Sequence, residues 1–247
     1  MRGMSMIALY ILLGILGLIL LYVLFLTICT YAVSKKKEYN SYNMFYNSVL
    51  KGLMFIVLHL CRVRIHVTGI EKIPKNQKLL FISNHRSNFD PMVSWLAFNE
   101  WKLGYISKAS NFKLPFLGRM IRRVCFMSID RENPRNAIVT INKAAEILGN
   151  DIASVGVYPE GTRSKECVLL PFHNGVFKIA QKANAPIVVL TVVGTEKIHK
   201  RAPWKATDVY LDVLEILPAE EVKSTKTDII GEKIRNLFEI NIEKRDV

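Results

Sequence analysis

From Met6 to Val33 the chain runs for 28 residues without a charged side chain, and most of them are leucine, isoleucine or other apolar residues. As a helix rising about 1.5 Å per residue, such a run measures about 42 Å. A bilayer core is about 30 Å thick, so the stretch can span it with some tilt. The competing readings are a cleaved signal peptide or a buried core helix. The run exceeds the usual signal-peptide apolar region, and no small-x-small cleavage site precedes the charges that follow. Residues 1–34 are therefore read as a transmembrane anchor. Lys35, Lys36 and Lys37 come immediately after it and only Arg2 comes before, so the positive-inside bias assigns the remainder to the cytoplasm.

Charge and apolarity occupy different parts of the chain. The formal net charge is +13, and Arg2 is the one charge before residue 35, which leaves +12 for residues 35–247. With 50% hydrophobic residues the chain is far from a disordered composition. Its four cysteines, Cys29, Cys61, Cys125 and Cys167, form no C-x-x-C pair and no His/Cys cluster, which argues against a disulfide scaffold or a zinc site and suits a reducing compartment. A second apolar run, Val49 to Cys61, is interrupted by Lys51 and His59. It is too short to span, so residues 35–61 are expected to form a juxtamembrane segment that lies on the interface or packs on the domain. Lys51, Arg62 and Arg64 around it are either solvated surface or partners of anionic headgroups.

Beyond Arg62 the pattern changes to that of an α/β domain, residues 62–247. Strands are expected at Arg62–Thr68, Leu79–Ser83, Leu103–Ser107, Val124–Ile129, Ser154–Tyr158 and Ile187–Val193, with an alternating outer strand at Val209–Leu217. Helices are expected at Pro91–Asn99, at Pro134–Leu148 with Asn133 as N-cap, from about Gly175 to Ala183, and at Thr227–Glu243. The alternation implies a mixed, largely parallel sheet flanked by helices.

Several familiar sites are absent from the sequence: no G-x-S-x-G elbow, no phosphate-binding G-x-x-x-x-G-K-[ST], no G-x-G-x-x-G and no H-E-x-x-H. The polar residues worth testing sit just after apolar strands, where open α/β sheets bind ligands. The first group is Asn84-His85-Arg86-Ser87-Asn88-Phe89-Asp90. If the segment turns, Asp90 can accept the Nδ1 proton of His85 and leave Nε2 free to take a proton from a hydroxyl. The alternative is that Asp90 merely caps a helix starting at Pro91 while His85 is an ordinary loop histidine. The second group is Tyr158-Pro159-Glu160-Gly161-Thr162-Arg163-Ser164, where a tight turn and an arginine fork suit a phosphate or carboxylate. Downstream, Phe172-His173-Asn174-Gly175 leads into a helix whose N-terminus is expected to favour an anion. Between the two groups Arg119, Arg122, Arg123 and Arg131 cluster, with Lys108 and Lys113 nearby; about half of these cations are expected to be solvated surface.

Four ordered blocks, Asn84-His85-x4-Asp90, Phe126–Arg131, Tyr158–Ser164 and Ala185–Val188, resemble those of the glycerolipid acyltransferases, with the similarity covering roughly residues 62–217. The fourth block departs somewhat, since members often carry a second proline where Val189 or Leu190 stands. The resemblance implies transfer of a fatty acyl chain from acyl-CoA or acyl-carrier protein to the 2-hydroxyl of 1-acylglycerol 3-phosphate (lysophosphatidic acid), without an acyl-enzyme, cofactor or metal. It implies His85 as general base oriented by Asp90, Glu160, Gly161 and Thr162 shaping the acceptor site, and Arg163, Arg131 and Lys108 holding its phosphate. The bilayer is then the natural partner. Rival readings are a related acyltransferase for another lysophospholipid or for glycerol 3-phosphate, and a non-catalytic, membrane-tethered lipid- or nucleic-acid-binding protein. No interleaving of aromatic and basic residues supports nucleic acid.

Overall fold

In a computed structural model, which describes residues 2–131, 133–164 and 166–246, the apolar run forms α1 (Arg2–Tyr31). Its Met6–Tyr31 portion is long and apolar enough to cross a bilayer, and almost all of it is exposed. Among the described residues its C-terminal part meets the domain, through Tyr22, Leu26, Thr30 and the Cys29 carbonyl. The second helix, α2 (Met44–Leu60), begins five residues before the apolar run, because the Asn43 side chain caps it by accepting from the Tyr46 amide. Asn47, Leu50, Met54 and Leu58 recur at helical spacing and are buried on the domain. Each of the three apolar members contributes about 2 kcal/mol by leaving water. The opposite face leaves Phe45, Phe55, Ile56 and Leu60 exposed.

The domain continues as β1 (Val63–Thr68), β2 (Leu80–Ser83), α3 (Asp90–Ala97), β3 (Leu103–Lys108), α4 (Leu117–Arg122), β4 (Met127–Ile129) and α5 (Pro134–Gly149). It closes with β5 (Ser154–Val157), α6 (Lys178–Ala183), β6 (Ile187–Val193), α7 (Ile198–Arg201), β7 (Thr207–Leu217), α8 (Ala219–Ser224) and α9 (Thr227–Asp246). The seven strands form one sheet in the order β1-β7-β6-β2-β5-β3-β4. Every pairing is parallel except β6 with β7, so β6, β2, β5, β3 and β4 all point their C-terminal ends to one edge. The sheet is covered on both faces, which is why β2, β5 and β6 are continuous buried runs. Leu80 and Ile82 of β2 face the cluster made with α5, α6 and α9, while Phe81 faces the cluster made with α2, α3 and α4.

Three expectations need correction. The strand Val209–Leu217 is not an outer one: β7 is paired on both sides, with β1 and β6, and β1 takes the edge. Its alternation reflects partial cover on one face, where Asp208, Tyr210 and Leu214 are half-buried. The strand at Val124–Ile129 shrinks to Met127–Ile129, because Cys125 takes a left-handed φ of 57° and the Phe126 amide bonds back to the Ile121 carbonyl, ending α4. The helix at Gly175–Ala183 is a 3-10 turn, Asn174–Phe177, followed by the six-residue α6, so no extended helix presents its N-terminus to an anion there.

Candidate active site

The loop after β2 turns sharply enough to bring His85 and Asp90 together. Nδ1 of His85 lies 2.8 Å from Oδ2 of Asp90. The same Oδ2 accepts from the backbone amides of Arg86 at 2.6 Å and Ser87 at 2.7 Å, and Oδ1 accepts from the Thr195 hydroxyl. Asp90 is fully buried, and its carboxylate is surrounded by the two amides, the Thr195 hydroxyl and the His85 ring nitrogen. The capping alternative fails on this geometry: α3 begins at Asp90 itself, and the carboxylate reaches back to the turn behind it and to the histidine. With Nδ1 facing a carboxylate, the tautomer carrying the proton on Nδ1 is favoured and Nε2 is the basic nitrogen. The His85 side chain keeps 13% of its surface exposed, and its ring stacks on Tyr158 at 4.2 Å between centroids and 16° between planes. Tyr158 in turn stacks on Tyr105 at 5.5 Å.

The second motif fixes the first. Glu160, expected to shape acceptor binding, is 2% exposed and accepts from backbone amides at both carboxylate oxygens, Oε1 from His85 at 2.7 Å and Oε2 from Leu170 at 2.9 Å. Burial pushes its carboxyl above the ordinary value, and those two amides pull it back toward the ionised form. The Ser164 amide donates to the His85 carbonyl at 2.8 Å, so the histidine is held on both sides of its backbone. The Glu160 side chain therefore ties the backbones of His85 and Leu170 together. Gly161 has φ +67°, and a Cβ there would come within 2.8 Å of the His173 ring, so the turn needs glycine on two counts. Thr162 and Arg163 follow on the exposed side of this turn.

Lys108, Arg131 and Arg163 come from the ends of β3, β4 and β5, which are successive neighbours of β2 on the edge that carries His85. All three are exposed, and none pairs with a carboxylate of a described residue. Partial desolvation lowers the Arg131 guanidinium somewhat from its ordinary value, leaving it a cation at neutral pH. The other arginines of the cluster serve the architecture. Arg119 donates to the Thr30 carbonyl at 2.8 Å, Arg122 lies over Phe112, and Arg123 lies 4.2 Å over Tyr39. Tyr46 adds a hydrogen bond to the Cys29 carbonyl at 3.0 Å, so the end of α1 is tied to the domain rather than loosely tethered.

One residue of this site escaped sequence reasoning. Thr195 stands just beyond β6 after Gly194, whose φ of 99° turns the chain toward Asp90; its place at a strand end beside β2 is the signal that could have found it. Asn84 locks that same junction, exchanging hydrogen bonds with the Val192 backbone at 2.9 and 2.8 Å.

Comparison with known proteins gives the family and the fold. The acyltransferase family model matches residues 64–193, more than half of the chain. A 1-acyl-sn-glycerol-3-phosphate acyltransferase of Limnanthes alba is 28% identical over 200 residues, covering 80% of this chain and 68% of the relative. A chloroplastic 1-acyl-sn-glycerol-3-phosphate acyltransferase of Brassica napus is 30% identical over 171 residues, covering 69% and 48%. The fold matches the crystal structure of the 1-acyl-sn-glycerophosphate acyltransferase PlsC from Thermotoga maritima with a TM-score of 0.68 at 20% identity, over 90% of this chain and 88% of that one.

Proposed function

Because this chain belongs to the acyltransferase family, we propose that it is a membrane-anchored enzyme moving a fatty acyl group from acyl-CoA or acyl-carrier protein to the 2-hydroxyl of 1-acylglycerol 3-phosphate, making phosphatidic acid. The observation that carries the reading is the buried Asp90 carboxylate on Nδ1 of His85 at the sheet edge. Nε2 removes the proton of the acceptor hydroxyl as its oxygen attacks the thioester carbonyl carbon; the imidazolium so formed is stabilised by Asp90. Collapse of the tetrahedral adduct breaks the carbon–sulfur bond, and the proton passes from His85 to the departing thiolate. Oxygen has replaced sulfur on the acyl carbon and the base is regenerated, so the protein needs no nucleophile of its own.

Lys108, Arg131 and Arg163 supply the phosphate handle. A guanidinium fork matches a phosphate in two hydrogen bonds, and fixing that end orients the hydroxyl toward His85. The α1 helix serves as a single span with residues after 34 on the cytoplasmic side, and the apolar outer face of α2 rests on the same leaflet. An amphiphilic acceptor then reaches the site by lateral diffusion. The test is product formation by the purified protein with an acceptor panel. Lysophosphatidate is expected to be acylated in preference to lysophospholipids lacking a free phosphate, and Arg163→Ala to narrow that preference by roughly tenfold or more, the scale of one charge-assisted contact. Equal turnover of phosphate-free acceptors overturns the assignment of acceptor.

A further inference from the structure

The connection from β6 to β7 carries a surface that acyl transfer leaves unused. Trp204 in this loop is 84% exposed, whereas Trp95 and Trp101 are 1% and 3% exposed. An indole left in water on an ordered loop marks a surface built to be covered. The loop is held in place: the Arg62 guanidinium donates to the Trp204 carbonyl at 2.9 Å, and the amides of Lys205 and Ala202 bond back to the carbonyls of Arg201 and Ile198, each at 2.8 Å. Around the indole Lys197, Lys200, Arg201 and Lys205 are exposed, and Arg62 and Arg64 adjoin from the start of β1, where Val63 pairs with Thr207. The nearby acids are engaged: Asp208 with His66 at 2.8 Å, and Glu196 with the Gly194 amide and, at 3.9 Å, with Lys197.

Position selects the occupant. The loop leaves β6 at Thr195, which holds Asp90, so it stands on the catalytic rim. Beside it α2 ends at Leu60, 64% exposed, and the exposed Phe55, Ile56 and Leu60 lead up to Arg62, the residue that holds the Trp204 carbonyl. An apolar strip thus runs from the helix into an indole ringed by cations. We propose that residues 197–205 form a second membrane contact, with Trp204 seated in the interfacial region of an anionic bilayer and the surrounding cations on headgroup phosphates. Tryptophan favours that depth, and cations near an anionic leaflet are attracted to it. With α1 tied to the other side of the domain, the contact presses the catalytic rim onto the lipid surface at two points.

The proposal rests on the reading of α1 as an anchor, and one preparation tests the two separately. Full-length protein is reconstituted into vesicles of phosphatidylcholine with or without phosphatidylglycerol, flotation reports the anchor, and quenching of tryptophan emission by brominated lipid reports Trp204. Strong quenching is expected in phosphatidylglycerol vesicles, absent in Trp204→Phe, whose remaining indoles are buried in the domain. Each cation near an anionic surface changes interfacial occupancy by roughly fivefold, so Lys200→Ala with Arg201→Ala is expected to reduce occupancy about 25-fold and to relieve the quenching, as high salt does. Protein that floats with unquenched Trp204 overturns the loop contact and leaves the anchor standing. Shielding of Trp204 from aqueous iodide only on addition of an acidic carrier protein overturns it in favour of a protein partner. Protein that fails to float overturns the anchor and this proposal with it.

Discussion

Replacing Asp90 by asparagine separates the charge of this residue from its hydrogen bonds. Oδ2 accepts from two backbone amides and faces Nδ1 of His85, while Oδ1 accepts from Thr195. An asparagine oxygen in the Oδ2 position keeps the first three contacts, and its amide group then donates to Thr195, whose hydroxyl turns to accept. The network survives, so the folded state is expected to change by less than about 1 kcal/mol. What is lost is the attraction between the carboxylate and the imidazolium that forms during the reaction. With Nδ1 2.8 Å from Oδ2, the charge centres lie about 4 Å apart, and at an effective dielectric of about 20 the attraction is about 4 kcal/mol. Transfer is therefore expected to fall by roughly 10²–10³-fold at saturating substrate, with a melting midpoint moved by no more than about 2–4 °C. Asp90→Ala differs in kind: it strands the Arg86 and Ser87 amides, at about 1–3 kcal/mol each, and loses activity and stability together. Initial rates and thermal denaturation in detergent distinguish the two variants. Asp90→Asn retaining transfer within a few-fold of wild type, or unfolding as easily as Asp90→Ala, refutes the reasoning.

Thr195 is a positioning residue, so Thr195→Val is expected to lower kcat roughly tenfold while leaving KM for the acceptor in place, and Thr195→Ser to restore most of it. A rise in KM alone counts against this role. Burial raises the Cys125 thiol from 9.0 to about 11, against the opposing pull of Lys143 and Arg123. The unfolded chain loses this proton before the folded one, so between pH 9 and 11 the folded state holds more protons and stability falls as pH rises, by up to roughly 2–3 kcal/mol. Cys125→Ala is expected to flatten that part of the stability-versus-pH curve, and an unchanged slope contradicts the burial argument.

What the sequence makes legible is whatever depends on neighbours along the chain. The runs Leu79–Ser83 and Ile187–Val193 read as buried strands because both sheet faces are covered, and the polar residues just beyond Ser83 stand out against them. Asn133 announces α5, and its side chain accepts from the amides of Arg135 and Asn136. Other features depend on partners far along the chain. Glu160 stands in a tight turn, but its carboxylate meets the His85 amide 75 positions earlier, and Thr195, for which the sequence offers no local motif, reaches Asp90 across 105 positions. The arginine cluster misleads for the same reason: Arg119 spends its charge on the end of α1, 89 residues upstream, and Arg123 on Tyr39. The alternation of β7 records how one face is covered, and it carries no information on which strands lie beside it.

The central claim is that Nε2 of His85 takes the acceptor's proton and that the acyl group moves directly to the hydroxyl. It is tested most directly by measuring labelled phosphatidic acid formed from 1-acylglycerol 3-phosphate and a labelled acyl donor, with wild type and His85→Ala compared at matched amounts of folded protein. Wild type is expected to make the product and His85→Ala to make it about 10²–10⁴-fold more slowly, the range of general base catalysis. Near-normal transfer by His85→Ala, or no phosphatidic acid from the wild type with either class of donor, contradicts the account.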